Sequence, residues 1–206
     1  MFGDTAAKKN NWPRKRLGEL TTRITKGESP GWQGFQYTDE GPMFITSENV
    51  LWGSLDVAEP KRIPAAFHQK LSRSAVQAND VLLNLVGASI GRCCRVPRGL
   101  GEANVNQAVA VISCGKNLLP DFLTNLLLSQ DAQNYFHGGK VEAARANISL
   151  GDIREYETVF PPLPLQNEFV QLVMEIRELE AGQATSRTRL DTLFQSMLHR
   201  AFNGEL

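Results

Sequence analysis

The chain has 206 residues, of which 42% are hydrophobic, and it carries 22 basic and 22 acidic side chains. This length is enough for one sizeable domain with an appendage, or for two small domains. The sequence has no apolar run of roughly 18 residues and no apolar N-terminal signal segment, so neither a membrane span nor secretion is predicted, and a cytoplasmic location is expected.

The charge is unevenly distributed although its total is zero. Residues 1–100 hold 14 Lys and Arg against 9 Asp and Glu, whereas residues 151–206 hold 5 against 9. A mildly basic front part fits contact with a polyanion, although many proteins that never meet nucleic acid share such an imbalance. The cysteines Cys93, Cys94 and Cys114 lie in apolar segments without a CxxC spacing, so we interpret them as buried thiols.

Strands and loops dominate the predictions for the first part of the chain. A basic segment covers residues 8–26, and the glycine-rich stretch KGESPGWQGFQY that follows predicts a loop. One strand is expected from Met43 to Thr46, two more on either side of Gly87–Gly91, and a single buried strand in NVNQAVAVIS.

A helix and a last strand are predicted next. Pro120 suits a first helical position, and apolar residues then recur at helical spacing until Gly138 and Gly139 stop the run. The stretch KVEAARANISLGD predicts a polar loop, and the alternating REYETVF predicts the last strand. Because strands and helices are interspersed without a regular βαβ rhythm, we predict an irregular mixed α+β domain.

A proline block separates this domain from a long C-terminal helix. Pro161, Pro162 and Pro164 fix φ and remove backbone donors, so the strand must end and a helix can begin. We therefore divide the chain into a domain of residues 1–160 and a helical region of residues 161–206. A helix over residues 165–202 would be about 57 Å long, and a break at Gly182 would give two helices instead.

The apolar residues of this region recur at helical spacing, and a single small domain cannot cover them all. They need a second helix, from another chain or another copy. The predicted helix-pairing residues are Phe169, Leu172, Val173, Ile176, Leu179, Leu190, Leu193, Phe194, Met197 and Phe202.

The sequence contains no recognisable catalytic or nucleotide-binding motif: neither GxGxxG nor a P-loop, no HxxxH, and no nucleophile elbow. What it does contain is basic side chains beside amide, hydroxyl and aromatic residues in predicted loops. Lys and Arg neutralise phosphates, while Asn, Gln and Arg read base edges. The candidate DNA-binding residues are Lys26, Ser29, Trp32, Tyr37, Arg62, Lys70, Arg92, Asn106, Gln107, Lys140, Arg145 and Asn147. Lys61, His68 and Asn104 accompany them in the same predicted loops.

Motifs along nearly the whole chain resemble half of a specificity subunit of a type I restriction–modification system. The most specific combination joins the segment from Trp12 to Leu20 with the terminal LFQSMLHRAFNGEL. The other matching segments are ITKGESP, GPMFITSENV, DVLLNLVGASIGR, NVNQAVAV and NISLGDIREYETVFPPLPLQ. The family usually has Glu before the Gln of the proline block, where this chain has Leu165.

The resemblance implies a target-recognition domain followed by a long helix that pairs as an antiparallel coiled coil. Family members carry two such domains, and each reads one half of an interrupted DNA sequence. Methyltransferase subunits that bind S-adenosylmethionine dock on them, and a restriction subunit can join. The resemblance thus implies a non-catalytic chain without a cofactor of its own, while S-adenosylmethionine, ATP and Mg are expected on the partner subunits.

Because one domain and one helix are present here, we expect two copies to pair through residues 165–202 into a two-fold dimer that reads an inverted repeat. Pairing with a different specificity chain, or origin as part of a longer subunit, stays open. Two other functions also stay open. One is a protein adapter that never contacts DNA. The other is a nuclease or methyltransferase with an unrecognised site.

Overall fold

A computed structural model describes residues 11–138 and 147–204 of the chain. Within these residues, nine strands form sheets of two, three and four strands. The strands are β1 (Arg14–Arg16), β2 (Thr21–Lys26), β3 (Thr38–Ile45), β4 (Lys61–Arg62), β5 (Val81–Asn84), β6 (Cys93–Arg95), β7 (Ala103–Val105), β8 (Val109–Cys114) and β9 (Glu157–Val159). The helices are α1 (Leu17–Leu20), α2 (Ala65–Lys70), α3 (Pro120–Leu127), α4 (Gln130–Phe136), α5 (Leu150–Glu155) and α6 (Leu163–Phe202).

The four-stranded sheet is antiparallel throughout, with strand order β2-β8-β5-β6. Its two central strands, β5 and β8, are made almost entirely of apolar residues, which suits strands covered on both faces. In the three-stranded sheet, β3 lies between β4 and β7 and runs parallel to β7. Apolar side chains from both sheets pack into one core cluster, which includes Ile45, Leu82, Val105 and Val111.

The stretch NVNQAVAVIS forms two strands rather than the single strand that we predicted. β7 pairs with β3 and β8 pairs with β2 and β5, so the chain changes sheets at residues 106–108. The Asn106 side chain makes this change of direction possible, because its Oδ1 accepts a hydrogen bond from the Ala108 N–H at 3.0 Å. Both halves of the stretch are apolar and β-branched, so the strand pattern alone did not reveal the corner.

Two helix predictions also need correction. The helix that starts at Pro120 ends at Leu127, and Ser129 caps a separate helix α4 through a hydrogen bond from the Ala132 N–H. Part of the predicted last strand is helix α5, which begins with a capping box formed by Ser149 and Asp152. The strand β9 is confined to Glu157–Val159, one residue after α5.

The first and last strands of the α+β part lie side by side. β1 and β9 form an antiparallel pair, and the Phe160 N–H donates to the Pro13 carbonyl at 2.9 Å just beyond it. The basic residues at the start of the chain are therefore partly structural, since Arg16 pairs with Glu155 at 2.9 Å.

The helix α6 is continuous for 40 residues and is not interrupted at Gly182. The chain divides into two compact units, of which the first ends at Gln166 and the second begins at Asn167. The predicted functional boundary at residue 160 stays a prediction. Among the described residues, no helix has the length and apolar character that crossing a membrane requires.

The predicted burial of the three cysteine thiols is found at two positions. Cys93 and Cys94 are buried, whereas Cys114 is half-buried. Burial raises the pKa of the Cys94 thiol to about 12, and it raises the pKa of Cys93 further. Burial also raises the pKa of Cys114 to about 12, with a smaller contribution from the nearby Asp80 and Asp121 carboxylates.

Candidate nucleic-acid interface

One end of the four-stranded sheet gathers five of the predicted DNA-binding residues. Because neighbouring strands are antiparallel, the end of β2 meets the start of β8, the end of β5 and the start of β6. We call this end the sheet-end surface. Its predicted members are Lys26, Arg92, Asn106, Gln107 and Asn147.

Backbone contacts fix the members of the sheet-end surface in place. The Gly27 N–H, directly after Lys26, donates to the Asn106 carbonyl at 3.2 Å. A Cβ atom at Gly27 would overlap the Val105 carbonyl oxygen, so this close approach requires glycine. Asn147 forms a bridge with Val86 just beyond β5. The loop residues are thus fixed relative to the sheet, and the Asn106 amide oxygen is already hydrogen-bonded within the turn.

Five basic residues in the described part of this unit form ion pairs, and the two cations of the sheet-end surface are not among them. Lys26 and Arg92 form no ion pair with any residue in the described ranges 11–138 and 147–204. By contrast, Arg95 pairs with Asp121 at 2.8 Å, and Arg23 pairs with the buried Asp80 at 2.6 Å. The sheet-end surface therefore keeps positive charge that a phosphate group can neutralise.

Polar groups at this end of the sheet are also incompletely paired. Across the part of the chain that the structure describes, four buried side-chain atoms lack a hydrogen-bond partner, namely Asn84 Oδ1, Arg92 Nε, Gln107 Oε1 and Gln133 Oε1. Asn84 ends β5, and the Gln133 amide donates to the Gly91 carbonyl beside Arg92. A buried polar atom without a partner costs roughly 1–3 kcal/mol. All four atoms belong to the sheet-end surface or to residues next to it.

A tightly turned loop after β2 presents Trp32, which is 75% exposed. Pro30–Gln33 form a turn of 3-10 helix, with Ser29 at its start. The Gln33 amide donates to Glu28 at 2.6 Å, and Glu28 also pairs with Arg73. The loop thus holds a large aromatic side chain in solvent on a braced turn.

Tyr37, Arg62 and Lys70 form a second group, on the three-stranded sheet and α2 instead of on the sheet end. The Tyr37 ring packs against Phe44 at 5.8 Å between centroids. The Lys70 ammonium lies 5.7 Å from the centre of the Phe35 ring. The Arg62 guanidinium donates to the Gly41 carbonyl at 2.7 Å. Side chains of this second group are therefore already engaged in packing and hydrogen bonds within the chain.

Lys61 joins this second group, since its ammonium lies 5.7 Å from the centre of the Tyr37 ring. Asn104, which we predicted in a loop, is instead buried in β7 and donates to the Leu71 carbonyl at 2.9 Å. Its amide oxygen contacts His68. Lys140 and Arg145 lie outside the described residues.

Sequence reasoning missed Trp52, which is 57% exposed in the loop after β3. Its neighbour Gly53 donates to the Cys93 carbonyl at 2.9 Å, and the Asn84 amide donates to the Ser47 carbonyl at 2.8 Å. These two contacts fasten the loop to the sheet end. The signal was available in the stretch LWGSL, where tryptophan stands beside glycine between turn residues.

The helix-pairing residues of α6 are exposed along most of its length. Leu179, Leu190 and Phe194 expose 68%, 66% and 59% of their surface. Phe169 and Val173 are half-buried, and the remaining predicted members are exposed. That these residues pair with another helix stays a prediction.

Comparison with known proteins identifies the family. No protein-family model matches the chain. Over 159 residues it is 31% identical to the Type I restriction enzyme EcoBI specificity subunit of Escherichia coli. The chain is a homologue of the type I restriction specificity subunits. The match covers 75% of this chain and 33% of that protein, so the chain spans about a third of this relative's length.

Two solved structures share the fold of this specificity-subunit homologue. A chain from a type I R-M system superposes with a TM-score of 0.63 at 22% identity, covering 95% of this chain and 46% of that one. The HsdS subunit from Thermoanaerobacter tengcongensis gives a TM-score of 0.60 at 19% identity, with 95% and 45% covered. The predicted family and the predicted α+β fold with a long C-terminal helix are confirmed. The antiparallel pairing of that helix stays a prediction.

Proposed function

We propose that this chain is the non-catalytic DNA-recognition subunit of a type I restriction–modification complex and reads one half of a bipartite target. The observation that carries the proposal is the sheet-end surface. Two cations that form no ion pair with the described residues and several amide side chains meet there, and exposed tryptophans lie in the loops after β2 and β3, on a fold shared with specificity subunits. Cations position a protein on phosphates, and amides and guanidinium groups discriminate between bases.

The partners follow from the same proposal. Methyltransferase subunits would dock on the chain and supply S-adenosylmethionine, and a restriction subunit with ATP and Mg can complete the complex. The cytoplasmic location predicted from the sequence belongs to this proposal too, because the DNA to be read lies there. With a net charge of zero, the isolated chain is expected to bind DNA weakly.

The proposal includes a homodimer, supported by the exposed stripe on α6. A two-fold dimer presents two identical sheet-end surfaces and therefore reads an inverted repeat with a gap between its halves. Sedimentation of the pure chain at micromolar concentration measures the state directly. Monomer alone would remove the homodimer and favour pairing with a different specificity chain.

Two matched lysines test the DNA contact. Methylation mapping in cells that express the chain with its methyltransferase identifies the target, and duplex binding by the purified complex is then measured against salt. Lys26→Ala is expected to weaken binding and to lower the salt slope by about 1, because one phosphate contact is lost. Lys116 is exposed beyond the opposite end of β8, so Lys116→Ala is the control and should bind as wild type.

The alternatives predict different results in the same assay. An adapter without DNA contact would give no salt-dependent binding, and the two lysine variants would behave identically. An enzyme with an unrecognised site would turn over DNA with Mg²⁺ or methyl donor in the absence of other subunits.

A further inference from the structure

The loop after β3 is folded into a small hairpin with Trp52 at its tip. At its base, the Asp56 N–H donates to the Asn49 carbonyl at 2.8 Å, and the Asn49 side-chain amide donates to the Asp56 carbonyl at 3.0 Å. A further hydrogen bond of 3.0 Å closes the four-residue turn 51–54. Gly53 has a φ of 81°, which suits the third position of such a turn. The hairpin therefore presents Trp52 in the second position of a closed turn.

Two contacts with the four-stranded sheet set the place of this hairpin at the sheet end. The Gly53 N–H donates to the Cys93 carbonyl of β6 at 2.9 Å. Nearer the base, the Asn84 side-chain amide donates to the Ser47 carbonyl at 2.8 Å and to the Val50 carbonyl at 3.4 Å. The first contact is made by backbone groups alone. The second is made by a side chain and therefore depends on the identity of the residue.

Asn84 is a polar residue at the end of an otherwise apolar strand. It follows Val81, Leu82 and Leu83 in β5, and its side chain is fully buried. Burial of an amide costs free energy unless its polar atoms are paired. The nitrogen of this amide is used for the loop, while its Oδ1 has no partner among the described residues. An apolar side chain would suit the burial better, so the bonds to the loop account for an amide here.

The backbone of Asn84 holds a different part of the sheet-end surface. Its N–H donates to the Arg92 carbonyl at 2.9 Å, and its carbonyl accepts from the Gly91 N–H at 3.1 Å. The Gln133 amide adds a bond to the Gly91 carbonyl at 3.1 Å. One residue thus fixes the turn that carries Arg92 through its backbone and the loop that carries Trp52 through its side chain.

We propose that Asn84 is a positioning residue for DNA recognition, which holds Trp52 in a fixed place relative to Arg92 so that both contact one half-site. This inference rests on the proposed function and adds to it a buried residue that does not itself touch DNA. Arg92 supplies positive charge for a phosphate group, and Trp52 supplies an aromatic surface for a base. Ordering a mobile loop during binding lowers affinity. Asn84 reduces this loss because it orders the loop before DNA binds.

A double-mutant cycle tests whether Asn84 acts through Trp52. Duplex binding is measured with the methyltransferase complex on the target found by methylation mapping. Asn84→Ala is expected to weaken binding about fivefold when Trp52 is present and less than about twofold in the Trp52→Ala background. In an Arg92→Ala background it should keep an effect of about fivefold, because backbone bonds hold that turn. Equal effects in all three backgrounds would show a general structural role and overturn the proposal.

Asn104 offers a matched control for the loss of a buried amide. It is also fully buried, and its amide donates to the Leu71 carbonyl at 2.9 Å and to Ser74 Oγ at 3.2 Å. These bonds hold the segment after α2 and not the hairpin. Asn104→Ala should therefore change affinity by the same factor with and without Trp52. Coupling to Trp52 as strong as that of Asn84 would contradict the proposal, since any buried defect would then have the same effect.

The mobility of Trp52 in the free chain gives a reading that does not involve DNA. Because the chain has three tryptophans, Trp12→Phe with Trp32→Phe makes the fluorescence anisotropy decay report Trp52 alone. Asn84→Ala should increase the fast component of this decay, and Asn104→Ala should leave it unchanged. An unchanged decay in Asn84→Ala would contradict the proposal. If the alanine variant does not fold, Asn84→Ser leaves a smaller cavity and should show the same pattern in both experiments.

The outcomes separate this inference from the proposed function. If Trp52→Ala binds duplex as wild type, Trp52 lies away from DNA and the inference fails, while Lys26→Ala still decides whether the sheet-end surface contacts phosphate. Absence of salt-dependent binding by the complex itself would overturn the proposed function and this inference together.

Discussion

The Gln166 side chain accepts a hydrogen bond from the Leu119 backbone N–H at 2.9 Å. Its amide also donates to the Asn117 and Pro161 carbonyls, each at 2.9 Å, and the residue is fully buried. Leu119 is the residue before helix α3, where backbone N–H groups have no partner within the helix. One side chain in the first turn of α6 therefore completes the hydrogen bonding around the start of another helix.

Replacement of Gln166 by Ala is expected to lower the free energy of unfolding by roughly 2–4 kcal/mol, because it removes three hydrogen bonds made by a buried side chain and leaves the buried Pro161 carbonyl unpaired. Urea denaturation monitored by circular dichroism measures the change. Gln171→Ala is the control, since Gln171 is exposed on the same helix and should change stability by less than about 0.5 kcal/mol. Equal effects of the two substitutions would show that the hydrogen bonds of Gln166 contribute nothing.

Two of the arginine–carboxylate pairs of this unit, Arg23–Asp80 and Arg73–Glu28, should differ in strength. Arg23 lies against Asp80, which is 3% exposed and also accepts from Ser113 Oγ at 2.6 Å. Arg23→Ala leaves that buried carboxylate without its cation and should cost roughly 3 kcal/mol in the free energy of unfolding. Arg73 is largely exposed, so Arg73→Ala should cost less than about 1 kcal/mol. Denaturation of both variants, side by side, checks the ranking.

The free energy of unfolding should fall at high pH, because a buried thiol ionises less readily in the folded chain than in the unfolded chain. Burial raises the pKa of Cys94 from 9.0 to about 12, so the folded chain keeps this thiol protonated where the unfolded chain ionises it. Below about pH 9 both states are protonated and the thiol does not alter stability with pH, whereas between about pH 9 and 12 the unfolded state is favoured. Denaturation of wild type and Cys94→Ala over this range should show a shallower loss of stability in the variant.

The exposed tryptophans should contribute to DNA binding and little to folding. Trp32→Ala and Trp52→Ala are each expected to weaken duplex binding by the methyltransferase complex about tenfold, because an aromatic contact to DNA is lost. The free energy of unfolding should change by less than about 0.5 kcal/mol. Trp32→Phe, which keeps an aromatic ring, is the control and should retain most of the affinity. Undiminished binding in both alanine variants would place the tryptophans away from DNA.

Long periodic patterns were the part of the fold that the sequence predicted well. The apolar repeat from Phe169 to Met197 correctly indicated a single helix, and glycine at position 182 did not break it because thirty-nine other residues propagate the helix around it. The strands on either side of Gly87–Gly91 were also predicted, since short apolar runs separated by glycines usually form strands joined by a turn.

The misses share a physical cause, which is that they depend on partners distant in sequence. Asn104 and Asn106 look alike in the sequence, yet one is buried against Leu71 and the other turns the chain between two sheets. Nothing local distinguishes them. Likewise Arg23 and Arg92 are both arginines in mixed segments, and only the fold brings Asp80 to the first, whereas the second has no acidic partner within residues 11–138 and 147–204.

The pairing of β1 with β9 brings the entry and the exit of the recognition unit to within one hydrogen bond, between Pro13 and Phe160. The two ends of this unit therefore lie next to each other in the fold, although about 145 residues separate them in the sequence. The interval between the two strands can therefore vary in sequence as long as its backbone still offers the Asn117 carbonyl and the Leu119 N–H to Gln166. We expect exchange of that interval to be a route to new DNA targets.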